Sequence, residues 1–196
     1  LGVQSGQELA ALVESADVLV VGPGLGTSPW SEQLLQVAAA SGKPTVLDAD
    51  GLNLLAEGRA IAERHRDNWV LTPHPGEAAR LLGCTTAQVQ ADRFEAVRQL
   101  RQRFGGIAVL KGNGSLVADA SQLLLSDYGN PGMASGGMGD VLSGVIGSLL
   151  AQHLPALEAA ALGVCLHGAA GDMAAEDGER GLLASDLIPH MRALLG

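Results

Sequence analysis

The stretch from Gly129 to Ser148 carries the densest chemical pattern in the chain. Its first part, Gly129-Asn130-Pro131-Gly132-Met133-Ala134-Ser135-Gly136-Gly137-Met138-Gly139-Asp140, is too rich in glycine for regular structure. Its second part, Val141-Leu142-Ser143-Gly144-Val145-Ile146-Gly147-Ser148, is apolar and helix-compatible. A glycine loop that feeds a helix start leaves several backbone N–H groups without an intrahelical acceptor. With the positive end of the helix dipole they form an anion site. Asp140 stands at the mouth of that site. A carboxylate there either caps the helix or takes a proton from a hydroxyl while the N–H groups hold a phosphate. Local spacing leaves both open.

Four further clusters are candidates. Gly22-Pro23-Gly24-Leu25-Gly26 is a loop that lets backbone approach a ligand closely, and it departs from the GxGxxG dinucleotide fingerprint. Asp48-Ala49-Asp50-Gly51-Leu52-Asn53 offers two carboxylates and an amide, either as an Asx-type turn capping a helix or as contacts to a metal-bound water or a substrate hydroxyl. His74 lies between Pro73 and Pro75, which hold its backbone extended and favour a ligand contact, with Glu77 close behind. Lys111-Gly112-Asn113-Gly114-Ser115 sets a cation beside flexible backbone; it suits a phosphate and is not a Walker A sequence. His65, His153 and His190 read as surface residues, and His167 as a satisfied core histidine. The arginines of 93–103 read as ordinary solvated charge without a site.

These clusters need elements to position them. Asp17–Val21 is a β-branched run expected to form a strand buried on both faces. Thr45–Asp48, Trp69–Thr72 and Ile107–Lys111 are further strands; Ser115–Ala118 returns antiparallel after a turn, and Leu123–Leu125 adds one more. Helices are expected near residues 1–14 with Leu9, Leu12 and Val13 apolar, from Pro29 behind an N-cap at Ser28, and, after a loop at Pro73–Glu77, a short one to Leu82. Others follow: after a capping box at Thr85 and Gln88 through Val97, Leu100 and Phe104, then over 156–176 and 184–195. Residues 49–53 read as a loop. Strand–loop–helix units followed by a hairpin and helices predict an α/β sandwich, mostly parallel with an antiparallel edge. Ligands in such sheets bind beyond the carboxyl ends of the strands, where all four clusters fall.

Length and composition set bounds. The chain has 196 residues, enough for one domain with a real core, and its 47% hydrophobic content excludes disorder. A net charge of -9 argues against general binding to nucleic acid or anionic membrane, without excluding a small anionic ligand. No run of about 18 apolar residues is present to cross a bilayer. Cys84 and Cys165 fit neither a disulfide framework nor a zinc pattern, and reduced cytoplasmic thiols are expected.

Taken in order, Gly-Pro-Gly-Leu-Gly, Asp-Ala-Asp-Gly-Leu-Asn, Thr-Pro-His-Pro-Gly-Glu, Leu-Lys-Gly-Asn-Gly and the run at 130–144 resemble the ADP/ATP-dependent NAD(P)H-hydrate dehydratases of the ribokinase-like superfamily. The resemblance extends to His-Gly-Ala-Ala-Gly-Asp at 167–172 and Gly-Leu-Leu-Ala-Ser-Asp at 181–186. It implies a three-layer ribokinase-like sandwich and a repair reaction: phosphoryl transfer from ADP or ATP to the ring hydroxyl of NADHX or NADPHX, then loss of phosphate. By carry-over, Asp140 is the catalytic base. Gly24, Gly26, His74 and Asp140 contact the hydrate. Lys111, Gly112, Asn113, Gly114, Ser115, Asn130, Gly137 and Gly139 contact the adenine nucleotide. Magnesium is expected on the nucleotide phosphates, held by water and phosphate, so no residue is assigned as its ligand. The resemblance also implies a cytoplasmic homo-oligomer, with a tetramer as one form, and an epimerase domain or protein as partner. Family domains begin with additional strands and a glycine-rich segment, so residues 1–196 are expected to form a single dehydratase domain lacking its N-terminal portion. Two alternatives remain at this point: a ribokinase-like kinase for a small vitamin precursor, and a nucleotide sensor without turnover. A dinucleotide oxidoreductase is a third and weaker one.

Overall fold

Val46, Val70 and Val109 point from neighbouring strands into one apolar layer, and Leu47, Leu71 and Leu110 point into the opposite one. This alternation follows from the two-residue period of a strand, and it means the central strands are covered on both faces. A computed structural model describes residues 4–196. Its six-stranded sheet runs β1 (Leu19–Val21), β2 (Thr45–Leu47), β3 (Trp69–Leu71), β4 (Ile107–Leu110), β5 (Ser115–Ala118) and β6 (Leu123–Ser126), in that spatial order. The first four strands are parallel; β5 and β6 each pair antiparallel to the preceding strand.

Helix α1 (Gln4–Ser15) precedes β1. The connecting helices are α2 (Pro29–Ala40), α3 (Ala49–Glu57), α4 (Pro75–Leu82), α5 (Thr86–Ala91) and α6 (Arg93–Phe104). Leu35, Leu52, Leu55, Leu81, Val97, Leu100 and Phe104 from these helices pack on the Leu47–Leu71–Leu110 face. On the other face, α7 (Met138–Ala151) and α8 (Ala156–Ala174) lay Leu142, Ile146, Leu149, Ala160 and Val164 over Val46, Val70 and Val109. Helix α9 (Leu187–Leu195) closes a smaller cluster through Leu187 and Met191. The result is a helix–sheet–helix sandwich. Its parallel strands all end on one edge, and that edge carries the candidate loops.

Several expectations need correction. Strand β1 is an outer strand among the described residues, and Val20 is 42% exposed rather than buried on both faces. A β-branched run reports strand propensity, not how many neighbours the strand has. Residues 49–53 are not a loop: α3 starts at Ala49 and ends at the left-handed Gly58. The helix forms because Leu52 and Leu55 bury one apolar side, a pattern that the Asp-Gly signal masked. The helix expected after Thr85 is two helices, broken where the Asp92 side chain accepts from the Glu95 N–H and caps the second. Leu12 is exposed, while Val13 is buried. The expected start of the first helix at residues 1–3 lies outside the described residues.

Candidate active site

Lys111 leaves the end of β4 and Asp48 leaves the end of β2, so the sheet itself brings them to one edge. Lys111 Nζ donates to Asp48 Oδ1 at 2.7 Å. The Asp48 side chain is 1% exposed and that of Lys111 18% exposed. A buried carboxylate needs hydrogen-bond partners on both oxygens. Ser143, on the first turns of α7, supplies the second bond, its Oγ donating to Asp48 Oδ2 at 2.8 Å. Thr72 Oγ1 lies 3.4 Å from Ser143 Oγ and ties the cluster to the end of β3. Asp48 therefore does not cap α3, whose first turn it precedes.

Glu77 completes the electrostatic frame. Its Oε2 is 3.9 Å from Lys111 Nζ and accepts from the His74 backbone N–H at 2.7 Å. The His74 ring accepts from the Gly76 N–H through Nδ1 at 3.0 Å. That bond puts the neutral ring's proton on Nε2, which faces Glu77 Oε1 at 3.4 Å. Half of the His74 side chain stays open to solvent. The rigid Pro-His-Pro segment thus orients an accessible imidazole at the strand edge.

The glycine loop meets this frame through Gly139. A Cβ on Gly139 would stand 3.1 Å from Lys111 Nζ and 3.4 Å from Asp48 Oδ2. Glycine lets the first turn of α7 rest directly on the buried ion pair without displacing it. Gly137 begins α7 at φ +87°, a backbone state that disfavours a side chain, and it leaves the helix N-terminus without a side-chain cap. Asp140 lies exposed in that first turn, and among the described residues its carboxylate has no hydrogen bond or ion pair. The capping alternative for Asp140 is therefore not what the chain uses. The arrangement is an open helix N-terminus, an ammonium at its base and an unengaged carboxylate beside it.

The remaining predicted residues sort by position. Gly24 is exposed with open space about it, and the Gly26 N–H donates to Asp50 Oδ2 at 2.8 Å, so Asp50 fixes the first glycine loop. Gly112, Asn113 and Gly114 form the turn between β4 and β5, closed by Ser115 Oγ donating to the Gly112 carbonyl at 3.3 Å. Asn130 turns inward: its Oδ1 accepts from the Gly132 N–H, and its Nδ2 donates to Gly171 O and Asp172 Oδ1, each at 3.0 Å. Its amide is committed to shaping the long glycine loop.

Some working residues carried no readable signal. Arg93 is not an idle surface charge. Its guanidinium donates to the carbonyls of Leu110 at 3.3 Å, Lys111 at 3.5 Å and also Asn113, and so pins the turn that carries Lys111. Burial lowers its pKa. Asp172 Oδ2 accepts from the Gly129 N–H at 2.9 Å and anchors the glycine loop to α8. His167 is buried, but its Nε2 has no partner, so it is not the satisfied histidine expected. Burial pushes its pKa down to about 4; the Met138 backbone opposes this, and Lys111 adds to it.

Comparison with known proteins agrees with this geometry. The family model for NAD(P)H-hydrate dehydratase matches residues 2–192, and the chain belongs to that family. A bifunctional NAD(P)H-hydrate repair enzyme from Coxiella burnetii is 52% identical over 195 residues, covering 98% of this chain and 39% of that protein. An ADP-dependent (S)-NAD(P)H-hydrate dehydratase from Neisseria meningitidis is 50% identical, covering 89% of this chain and 62% of that protein. The chain therefore spans less than two thirds of these relatives' length. Among solved structures, the ADP/ATP-dependent NAD(P)H-hydrate dehydratase from Bacillus subtilis, co-crystallised with ATP/Mg2+, superposes with a TM-score of 0.83 at 28% identity, covering 97% of this chain and 68% of that one. The sandwich is ribokinase-like.

Proposed function

We propose that the chain carries out nucleotide-dependent dehydration of NADHX or NADPHX to the reduced dinucleotide, with ADP or ATP as phosphoryl donor. The observation that carries the proposal is the Lys111–Asp48 pair set under Gly139, one residue from the unengaged carboxylate of Asp140. Asp140 takes the proton of the ring hydroxyl as its oxygen attacks the donor's terminal phosphorus. The P–O bond to the leaving nucleotide breaks, releasing AMP from ADP or ADP from ATP. The N–H groups of Gly137 to Gly139 and the Lys111 ammonium hold the phosphoryl oxygens through this displacement. Phosphate, a far better leaving group than hydroxide, then departs from the ring carbon. The ring nitrogen's lone pair drives that departure, and loss of a ring proton restores the double bond. His74, Gly24 and Gly26 are assigned to the hydrate, and the turn Lys111–Ser115 to the nucleotide.

Magnesium is expected to arrive with the nucleotide, held by its phosphates and water, because Asp48 and Glu77 are spent on Lys111 and His74 and Asp140 is kept for the hydroxyl proton. Bound there it would offset phosphoryl charge. Relatives named as bifunctional NAD(P)H-hydrate repair enzymes are consistent with a second repair activity; we take it to be an epimerase, on the same or another chain, and we place the protein in the cytoplasm as a homo-oligomer, with a tetramer as one form. No helix among the described residues is long and apolar enough to cross a membrane.

The test is recovery of reduced-nicotinamide absorbance from purified NADH hydrate, with ADP, with ATP and without nucleotide. Nucleotide-dependent recovery is expected. Accumulation of a stable phosphorylated product would instead indicate a kinase, and nucleotide binding without any reaction would indicate a sensor.

A further inference from the structure

Arg80 is a cation with no carboxylate of its own. On α4, its Nε donates to Asn53 Oδ1 on α3 at 2.9 Å, and no carboxylate among the described residues lies within ion-pair distance of it. A guanidinium held at Nε by a neutral amide keeps its full charge and presents its two Nη groups as a fork. Among the described residues, most of the chain's other cations also lack a carboxylate partner; what distinguishes this exposed arginine is that Asn53 ties its Nε to a neighbouring helix and leaves the Nη groups free for an anion.

The arginine opens onto a recess. Thr27, Asn53, Ala56, Glu57 and Arg80 line a shallow, solvent-open depression of about 610 Å³. Glu57 lines it too; its carboxylate shares Arg59 with Glu32, at 2.7 and 3.0 Å, and makes no ion pair with Arg80. The depression is joined to the residues assigned to the hydrate on both sides. On one side the links run from the Gly26 N–H to Asp50 Oδ2, from Asn53 Nδ2 to Asp50 Oδ1 at 3.4 Å, and from Arg80 Nε to Asn53. On the other side Arg80 Nη1 and the His74 ring flank Gly76: a Cβ placed there would stand 3.9 Å from the first and 2.8 Å from the second.

We infer that this recess takes the phosphate-bearing part of the dinucleotide remote from the reacting ring, with Arg80 as its phosphate contact and Asn53 as the residue that positions Arg80. The inference rests on the proposed function. Its chemistry is that of bidentate arginine–phosphate recognition. Either the pyrophosphate, common to both hydrates, or the 2′-phosphate, present only in NADPHX, supplies the anion.

The experiment is fluorescence titration of wild type, Arg80→Gln, Arg80→Lys and Asn53→Ala with NADPH and with NADH, the products of the proposed reaction. Circular dichroism confirms that each variant is folded. Arg80→Gln is expected to weaken binding by about 10–100-fold, with Arg80→Lys and Asn53→Ala recovering part of the affinity. Equal loss for both dinucleotides assigns the pyrophosphate; loss for NADPH alone assigns the 2′-phosphate. Unchanged affinities in folded Arg80→Gln, or no binding of either dinucleotide to wild type, overturn the inference. Failure of the proposed function is read separately, from the wild-type hydrate assay. Normal turnover with unaltered dinucleotide binding in Arg80→Gln sinks the inference alone.

Discussion

The ammonium of Lys111 lies 2.7 Å from Asp48, and a side chain at position 139 would crowd the pair, its Cβ 3.1 Å from one and 3.4 Å from the other. The glycine of the long loop and the lysine of the β4–β5 turn are thereby one unit. Replacing Gly139 with alanine brings a methyl to 3.1 Å from Nζ, tighter than most such contacts, so the ammonium has to give way. Overpacking of this kind costs about 1–3 kcal/mol. We expect Gly139→Ala to fold with a lowered melting temperature and to bind ADP at least about 10-fold more weakly by calorimetry. Wild-type affinity would mean that Lys111 does not need its present position.

Asp48 and Lys111 form a nearly buried pair, so removing one partner strands the other. Asp48→Asn or Lys111→Met alone is expected to cost about 3–5 kcal/mol in urea denaturation, less for Lys111, which keeps partial contact with solvent. The double variant should be less destabilised than the two single costs combined. Simple additivity would show that the pair contributes no coupling.

Arg93 forks onto three carbonyls of the Lys111 turn. Lysine keeps the charge but cannot reproduce the fork. Arg93→Lys is therefore predicted to weaken ADP binding about 10-fold while the sheet survives. Equal ADP affinity in the two proteins would limit Arg93 to surface packing.

His167 gives a pH dependence whose direction follows from its burial. Its folded-state pKa, about 4, lies below the ordinary value of 6.5, so the unfolded chain takes up the proton first. Its neutral form is accommodated fully above pH 6.5, and stability falls as pH drops from there toward 4, by up to about 3 kcal/mol. Urea midpoints measured across that window should decline in wild type and decline less in His167→Gln. Parallel curves for the two proteins would count against this assignment.

Much of this architecture was legible in local spacing. All six strands, the Thr85–Gln88 capping box and the return to helices after the hairpin follow from period, caps and glycine punctuation. The gathering of Asp48, Glu77, Lys111 and the glycine loop at one edge follows from parallel topology. The bonds that make the site were not legible. Asp48 finds Lys111 across 63 residues and Ser143 across 95, and no local pattern encodes such a partner. Arg93 sat in a run of charges whose other members gave no reason to single it out. The exposure of Val20 depends on what lies beside β1, and the start of α3 at Ala49 uses a positive φ that an alanine seldom adopts.

The central claim is that Asp140 performs proton transfer while Lys111 and the α7 N-terminus hold the nucleotide. The most direct measurement compares wild type with Asp140→Asn in ADP-dependent regeneration of NADH from its hydrate, with ADP affinity measured on the same preparations. The account predicts that Asp140→Asn binds ADP as wild type does and loses about 10²–10⁴-fold in turnover. A variant that turns over at the wild-type rate would contradict it.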